Sequence, residues 1–336
     1  MRPLTKRLIL EPTDHDFDCN GAFNPACVRS GDDVHVIYRA SDRDHRGTLG
    51  YARLDLAHNT LERSSTPVLA PSEEYDSFGT EDPKLIPWEG GSLLLYHAVG
   101  TRGPWTGVGT AAAYSEDFRG FAKLGLVRPF TPLVEALPKT TGAVRRRLLK
   151  LHGEYSGQPH VRTLWGKDVV LFPEKFNGAH LAVYRMPPLI AIAPLPSLSN
   201  PERFWTSALL DSSRTLLSPQ HRFESRSISP SAPPVLTKHG WLLVFHCVDT
   251  APDGNARYTA SAALLDRANP SRVLARLATP LLEPEQRWER TGLTGNCVYV
   301  SSAEIRGDRL LVYYGAADVR SAVAEYVLDD VVNAMR

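Results

Sequence analysis

The chain has 336 residues, 43% hydrophobic and 22% charged, a composition that argues against disorder and supplies ample material for a core. Its 38 Lys and Arg nearly balance 37 Asp and Glu, which removes the electrostatic case for a nucleic-acid or acidic-membrane partner and suits small neutral substrates better. Cys19, Cys27, Cys247 and Cys297 form no CxxC pair and no metal-ligand spacing with the histidines, so free thiols in a reducing, cytoplasmic setting are expected, with no metal or organic cofactor.

From the N-terminus, the apolar run Leu8-Ile9-Leu10 stops at Glu11 and is too short for a signal-peptide core. No later stretch approaches the roughly 18 apolar residues of a membrane span. Short apolar runs that end in an aromatic then recur as Val34–Arg39, Leu93–His97, Val169–Pro173, Leu242–His246 and Leu310–Gly315, with aromatics at Tyr38, Tyr96, Phe172, Phe245 and Tyr314. A turn signal precedes each one, such as Gly31-Asp32-Asp33, Glu89-Gly90-Gly91 or Gly307-Asp308, as hairpins require. A second run follows each, around Tyr51, Ala112, Ala182, Ala262 and Ala324.

Five hairpins in series, without long amphipathic helices, disfavour a βαβ sheet. They predict an all-β, five-bladed β-propeller spanning residues 1–336 as one catalytic unit, with the N-terminal strand around Lys6 to Leu10 completing the last blade. Residues 136–163, which include Ala143 to Lys150, read as an inserted loop with a short basic helix, either solvated or at a rim or subunit contact.

In such a ring the strand ends converge on one central funnel, the expected active site. The sequence places Asn24 and Arg39 there from the first repeat, Glu81 and Asp82 from the second, and Lys167, Asp168 and Arg185 from the third. The fourth brings His246, Asp249 and Tyr258, and the fifth Asp318. Strand alternation predicts that only one of Glu81 and Asp82 faces the channel, and Pro83 biases Asp82 toward extended backbone. Taken alone, the hexapeptide Gly79–Lys84 fits an Asp-Pro turn with Glu81 as a cap. His97 and His246 are either substrate contacts or ordinary strand histidines, and Trp105 and Trp241 either sugar platforms or core aromatics. Asp42, Asp249 and Asp318 read most economically as turn residues, with Asp318 the one cleared for a ligand.

Together these segments resemble glycoside hydrolase family 130, the inverting β-mannoside phosphorylases and their hydrolytic relatives. The resemblance rests on Phe23-Asn24-Pro25-Ala26, Tyr38-Arg39-Ala40, Gly79-Thr80-Glu81-Asp82-Pro83-Lys84, Lys167–Lys175, Pro233-Pro234-Val235, Gly240–His246, Ala263–Asp266 and Tyr313–Asp318, in that order. It implies a five-bladed propeller with Asp82 as general acid, acting through a sugar hydroxyl. Asn24, Arg39, Tyr258 and Asp318 then fall at sugar- or phosphate-contacting positions, and Lys167, Asp168 and Arg185 where the phosphorylases hold the anion. Three positions depart from the family pattern: Arg226-Ser227-Ile228-Ser229 replaces a lysine segment, Lys167 stands where Arg is common and loses its bidentate fork, and Cys247 replaces a glycine.

Inversion needs a proton for the leaving oxygen and a nucleophile on the opposite sugar face. A phosphorylase binds its nucleophile with cations, here Arg39, Lys167 and Arg185, with Tyr258 donating a hydrogen bond. A hydrolase needs a second carboxylate, for which Glu174 and Asp318 are candidates. The expected reaction is phosphorolysis of a β-linked mannoside to mannose 1-phosphate, with inorganic phosphate as co-substrate. Hydrolysis, a non-catalytic glycan-binding propeller and a furanoside-cleaving propeller using Asp16 or Asp18 stay as alternatives. The expected partner is an oligosaccharide or glycoside; assembly with further copies of the chain is left open.

Overall fold

The computed structural model describes the chain except residues 102–105, 138–139, 155–162, 196–197 and 199–211. Strand β1 (Thr5–Leu10) opens the chain and is followed by a first antiparallel sheet of β2 (Gly21–Ser30), β3 (Asp33–Ser41), β4 (Gly47–Asp55) and β5 (Thr60–Arg63). The second sheet is β6 (Gly79–Trp88), β7 (Gly91–Gly100), β8 (Gly107–Ser115) and β9 (Ala122–Arg128). A short pair, β10 (Thr131–Pro132) with β11 (Thr163–Leu164), leads to the third: β12 (Val169–Phe176), β13 (Ala179–Met186), β14 (Leu189–Leu195) and β15 (Thr215–Leu217). The fourth contains β16 (Ser227–Pro230), β17 (Val235–Thr237), β18 (Gly240–Thr250), β19 (Ala256–Leu265) and β20 (Val273–Arg276). The fifth is β21 (Val298–Arg306), β22 (Arg309–Ala316) and β23 (Arg320–Val327), and β1 supplies its outer strand by pairing antiparallel with β23. The ring is thus closed by both ends of the chain, as the sequence predicts.

Five apolar cores hold the sheets together, one at each junction, including that between the fifth sheet and the first, where Leu311, Tyr313 and Val323 meet Val34, Tyr38 and Ala52. This closed cycle of junctions is a five-bladed β-propeller. A blade is covered on both faces, so its second strand is buried end to end, as in Leu310–Ala316, rather than alternating. That is why these runs stand out in the sequence.

The third repeat is shifted by one strand relative to expectation. Val169–Pro173 lies in β12, the inner strand, while the second strand is β13 and carries Tyr184. The corresponding aromatics are therefore Tyr38, Tyr96, Tyr184, Phe245 and Tyr314, and the long interval from Tyr96 to Tyr184 contains the insertion. Within 136–163, the described part is the predicted short basic helix, Gly142–Glu154, which buries Val144 and Leu148, one turn apart, in the core between blades two and three.

A carboxylate device recurs ahead of the inner strands. Buried Asp18 accepts from Tyr38 Oη at 2.9 Å and Arg63 Nη2 at 2.5 Å, and buried Asp76 accepts from Tyr96 Oη at 3.2 Å and pairs with Lys123. Glu289 accepts from Tyr314 Oη at 2.6 Å and Lys6 Nζ at 3.1 Å, while Glu224 pairs with Arg276, whose guanidinium lies over Phe245. Each ties the turn before the inner strand to the second and outermost strands. Asp18 is thereby committed to structure, and Asp16 is exposed.

Candidate active site

The residue after each second-strand aromatic faces the centre: Arg39, His97, Arg185, His246 and, in the fifth blade, Gly315. Arg39 lies opposite Phe23, His97 opposite Glu81, His246 opposite Ser229 and Gly315 opposite Tyr299. A Cβ on Gly315 would lie 1.9 Å from Asn24 Oδ1, so the missing side chain makes room for Asn24.

The inner strands β2 and β6 bulge at equivalent places, between Phe23 and Ala26 and between Glu81 and Lys84. The extra residues, Asn24 and Asp82, have φ of 50° and 47°. Asp82 is therefore left-handed rather than extended. A bulge needs one residue outside the pleat, and Asn and Asp tolerate that region better than most. The same bulge breaks strand alternation, so Glu81 and Asp82 both reach Arg39: Glu81 Oε1 lies 2.8 Å from Nη2 and Asp82 Oδ1 3.2 Å from Nη1. The expectation that only one carboxylate faces the channel fails for this reason.

Asp82 is contacted from three sides. Its Oδ1 accepts from Asn24 Nδ2 at 2.6 Å as well as from Arg39, and its Oδ2 lies 3.0 Å from His97 Nδ1. Burial pushes its pKa up, but Arg39, His97 and Lys84 outweigh burial and hold the carboxyl well below its usual range. Glu81, without that many donors, is pushed up by burial and by its Asp82 neighbour against the pull of Arg39.

On the far side of His97, Nε2 is 3.0 Å from the backbone N of Asp168 and 3.3 Å from Asp168 Oδ1. Asp168, with φ of 60°, also accepts from Tyr299 Oη at 3.1 Å and faces Arg185 Nη1 at 3.9 Å. Burial raises its pKa, and Lys167, His97 and Arg185 overcome that and hold it well below normal. Tyr299 stacks on His246 with ring centroids 3.8 Å apart, and Lys84 Nζ lies 5.0 Å from the Tyr299 ring centre. Neither His246 nitrogen has a hydrogen-bond partner among the described residues; burial and the Lys84 charge lower its pKa to about 3, so the ring is neutral. Burial lowers Lys84 to about 8 against the attraction of Asp82 and Asp168.

Lys167 is half-buried, with its Nζ 5.3 Å from the Trp165 ring centre. Asp318, also half-buried, feels Arg39, Asp82 and Lys167, and burial leaves its pKa raised. Tyr258 is raised by burial and by Cys297, while Arg185 and Arg226 oppose the rise, so the phenol shares its surroundings with both arginines. The residues expected at the centre, Asn24, Arg39, Asp82, Lys167, Asp168, Arg185, His246, Tyr258 and Asp318, are thus linked by contacts or by their fields.

Asp249, placed at the funnel by the sequence, is instead held by Arg257 at 2.7 Å, whereas Asp42 is the turn residue expected, accepting from the backbone N–H groups of Asp44 and Arg46. Glu174 is exposed and lines a cavity of about 360 Å³ with Cys27, Leu85 and Glu304. It lies within the bulge in β12, and none of the residues clustered around Asp82 lines its cavity. Trp241 is buried edge-to-face against Phe172 and Phe176 in a core, and Trp105 lies outside the described residues. Sequence reasoning left Lys84 and Tyr299 out of the site altogether. Tyr299 lacks a neighbouring polar motif, and its facing position opposite Gly315 is the signal that finds it.

The centre of the propeller thus gathers four carboxylates, Glu81, Asp82, Asp168 and Asp318, with several cations and the phenols of Tyr258 and Tyr299. The family model for glycoside hydrolase family 130, described as beta-1,4-mannooligosaccharide phosphorylase, matches residues 2–336, and the chain belongs to that family of β-mannoside phosphorylases and related hydrolases. It is 29% identical over 334 residues to a 1,2-beta-oligomannan phosphorylase of Thermoanaerobacter sp. (strain X514), covering 97% of this chain and 96% of the relative. It is 30% identical over 336 residues to a beta-1,2-mannobiose phosphorylase of the same organism, covering 96% and 95%. The solved beta-1,2-mannobiose phosphorylase from Listeria innocua, in complex with beta-1,2-mannobiose, superposes with a TM-score of 0.72 at 21% identity over 97% of this chain and 95% of that one, which bears on the fold. Among the described residues no helix is long and apolar enough to cross a membrane, and all four cysteines are free.

Proposed function

We propose that the protein catalyses inverting phosphorolysis of a β-linked mannoside, releasing α-mannose 1-phosphate, with Asp82 as general acid. The observation that carries this reading is Asp82 set between Asn24, Arg39 and His97 on the same side of the ring as Lys167 and Arg185. Hydrogen phosphate is already an anionic nucleophile, so the protein has to bind and aim it rather than activate it, and cations do this by charge-assisted hydrogen bonds. Arg39, Lys167 and Arg185 take that role, with Arg226 and Tyr258 at the edge. Asn24, Asp168, His246 and Asp318 hold sugar hydroxyls, and Asp82 protonates the leaving oxygen through one of them. The full-length relatives named for β-1,2-linked substrates favour that linkage as the first to test.

Hydrolysis is the second reading, favoured by one observation: Asp318 is a carboxyl near Asp82 whose pKa burial has raised, as suits a general base. The two readings separate in one experiment. The protein is incubated with β-1,2- and β-1,4-mannobiose, with and without phosphate. Sugar 1-phosphate formed only with phosphate supports phosphorolysis, and equal free mannose in both tubes supports hydrolysis. No product in either, with sugar binding retained, points to the glycan-binding alternative.

A further inference from the structure

An acid whose carboxyl is held ionised by three donors must take up a proton before it can give one. The group in contact with the remaining oxygen of Asp82 is His97, a residue of β7 that is 3% exposed. Its ring spans two carboxylates, with Nδ1 3.0 Å from Asp82 Oδ2 and Nε2 3.3 Å from Asp168 Oδ1. The same Nε2 lies 3.0 Å from the backbone N–H of Asp168. When Nδ1 of the imidazolium gives its proton to Asp82, the neutral ring left behind keeps its remaining proton on Nε2, and the Asp168 carboxylate accepts from Nε2–H both before and after the transfer. The Asp168 N–H serves the other neutral tautomer, in which Nδ1–H stays on Asp82.

From this geometry we infer that His97 is a positioning residue that acts through Asp82, supplying the proton that the acid passes to the leaving oxygen. The inference rests on the reading of Asp82 as the acid. The Nδ1–H bond breaks as an O–H bond forms at Asp82 Oδ2. That O–H breaks in turn as its proton passes to the relaying sugar hydroxyl, whose own proton goes to the leaving oxygen as the glycosidic C–O bond breaks. Hydrogen phosphate, in becoming a dianionic sugar phosphate, releases one proton, and His97 recovers its proton from solvent, so the cycle balances. The two carboxylates on the ring favour its protonated form. Asp82 and Asp168 contact the ring and Glu81 feels its charge, while Arg39 and Lys84 act on it through Asp82, Lys167, Arg185 and Tyr299 through Asp168, and His246 lies in the field of both carboxylates. Burial lowers its pKa, but Asp168 and Asp82 more than compensate and raise it above the ordinary 6.5.

The test compares two leaving groups. For His97→Gln, turnover of β-1,2-mannobiose in the presence of phosphate should fall on the order of 10²-fold, the scale of lost general-acid assistance. KM for phosphate and for the mannoside should stay within about threefold, as loss of a step rather than of binding requires. A nitrophenyl β-mannoside, whose leaving group needs no proton, should fall by less than about fivefold, far short of the general-acid loss. Equal loss on both substrates, or loss on neither, overturns the proposal. A second measurement needs no turnover: ¹⁵N NMR titration of the His97 ring in the wild-type protein and in Asp82→Asn. The expected midpoint lies above 6.5 in the wild type and drops by about one pH unit or more without the Asp82 charge, the size of a close carboxylate's effect. A wild-type midpoint at or below 6.5, or one unmoved by Asp82→Asn, refutes the His97 proposal whatever the turnover. A protein inactive on every β-mannoside but with the elevated, Asp82-dependent midpoint refutes the phosphorolysis reading alone.

Discussion

Asn24 and Asp82 occupy the same bulge position in two successive inner strands, and their side chains meet, Asn24 Nδ2 donating to Asp82 Oδ1 at 2.6 Å. The contact depends on Gly315, because any Cβ there would fall 1.9 Å from Asn24 Oδ1. Gly315→Ala should therefore push Asn24 off the acid. Misplacement by about 1 Å near a reacting centre costs on the order of 10²-fold in rate. Steady-state kinetics should show that loss in kcat/KM while circular dichroism retains the β signature.

Arg185 and Lys167 both act on Asp168, with Arg185 Nη1 3.9 Å from Asp168 Oδ2. Arg185→Ala removes a charge-assisted contact to phosphate, a loss of about 1.5–3 kcal/mol. KM for phosphate should rise roughly 10- to 100-fold with little change in KM for the mannoside. Lys167→Arg restores the two-pronged geometry that lysine lacks and should lower KM for phosphate. Initial rates against phosphate concentration check both.

Lys84 is buried at 2% exposure with its ammonium over Tyr299 and, among the described residues, no hydrogen-bond partner. Its pKa is about 8 folded against 10.5 ordinarily. Because the folded pKa lies below the unfolded one, the unfolded chain binds more protons between pH 8 and 10.5, so this group makes stability rise with pH across that window. Full deprotonation recovers roughly 3 kcal/mol. Urea unfolding at pH 7.5 and pH 10 (roughly the two ends of the window) should show that rise in the wild type relative to Lys84→Met, in which it is absent.

Ring closure relies on Lys6, whose Nζ on the first strand lies 3.1 Å from the fully buried Glu289. Lys6→Met leaves that carboxylate with Tyr314 and backbone donors but no cation, and a broken buried pair costs about 3–5 kcal/mol. Half-buried Arg309, which bridges Asp308 and Glu325 at the surface, is the control: Arg309→Met should change stability by less than about 1 kcal/mol. Chemical denaturation distinguishes the two.

The blades were legible because burial on both faces writes each second strand as an unbroken apolar run. The same feature misled in the third blade, where inner strand β12 is equally apolar and Phe172 stands in for Tyr184. Reading aromatic-plus-next-residue pairs instead, Tyr38-Arg39, Tyr96-His97, Tyr184-Arg185 and Phe245-His246, picks out the centre-facing positions directly. Asp82 and its cations were legible through motif order. The bulge that turns both Glu81 and Asp82 toward Arg39 was not, because it departs from the strand period on which the expectation rested. Glu174 was misplaced for a different reason: a strand carries polar residues at two ends, and only one opens on the acid. Tyr299 and Lys84 are brought to the centre by contacts between blades that no local pattern records.

The account turns on Asp82 as the proton donor in a reaction that consumes phosphate. The most direct measurement is ³¹P and ¹H NMR of β-1,2-mannobiose with phosphate, using the wild-type protein and Asp82→Asn side by side. The wild type should convert phosphate to α-mannose 1-phosphate, and Asp82→Asn should be slower by about 10²-fold or more while still binding the disaccharide. Undiminished turnover by Asp82→Asn, or a β-configured product from the wild type, would contradict it.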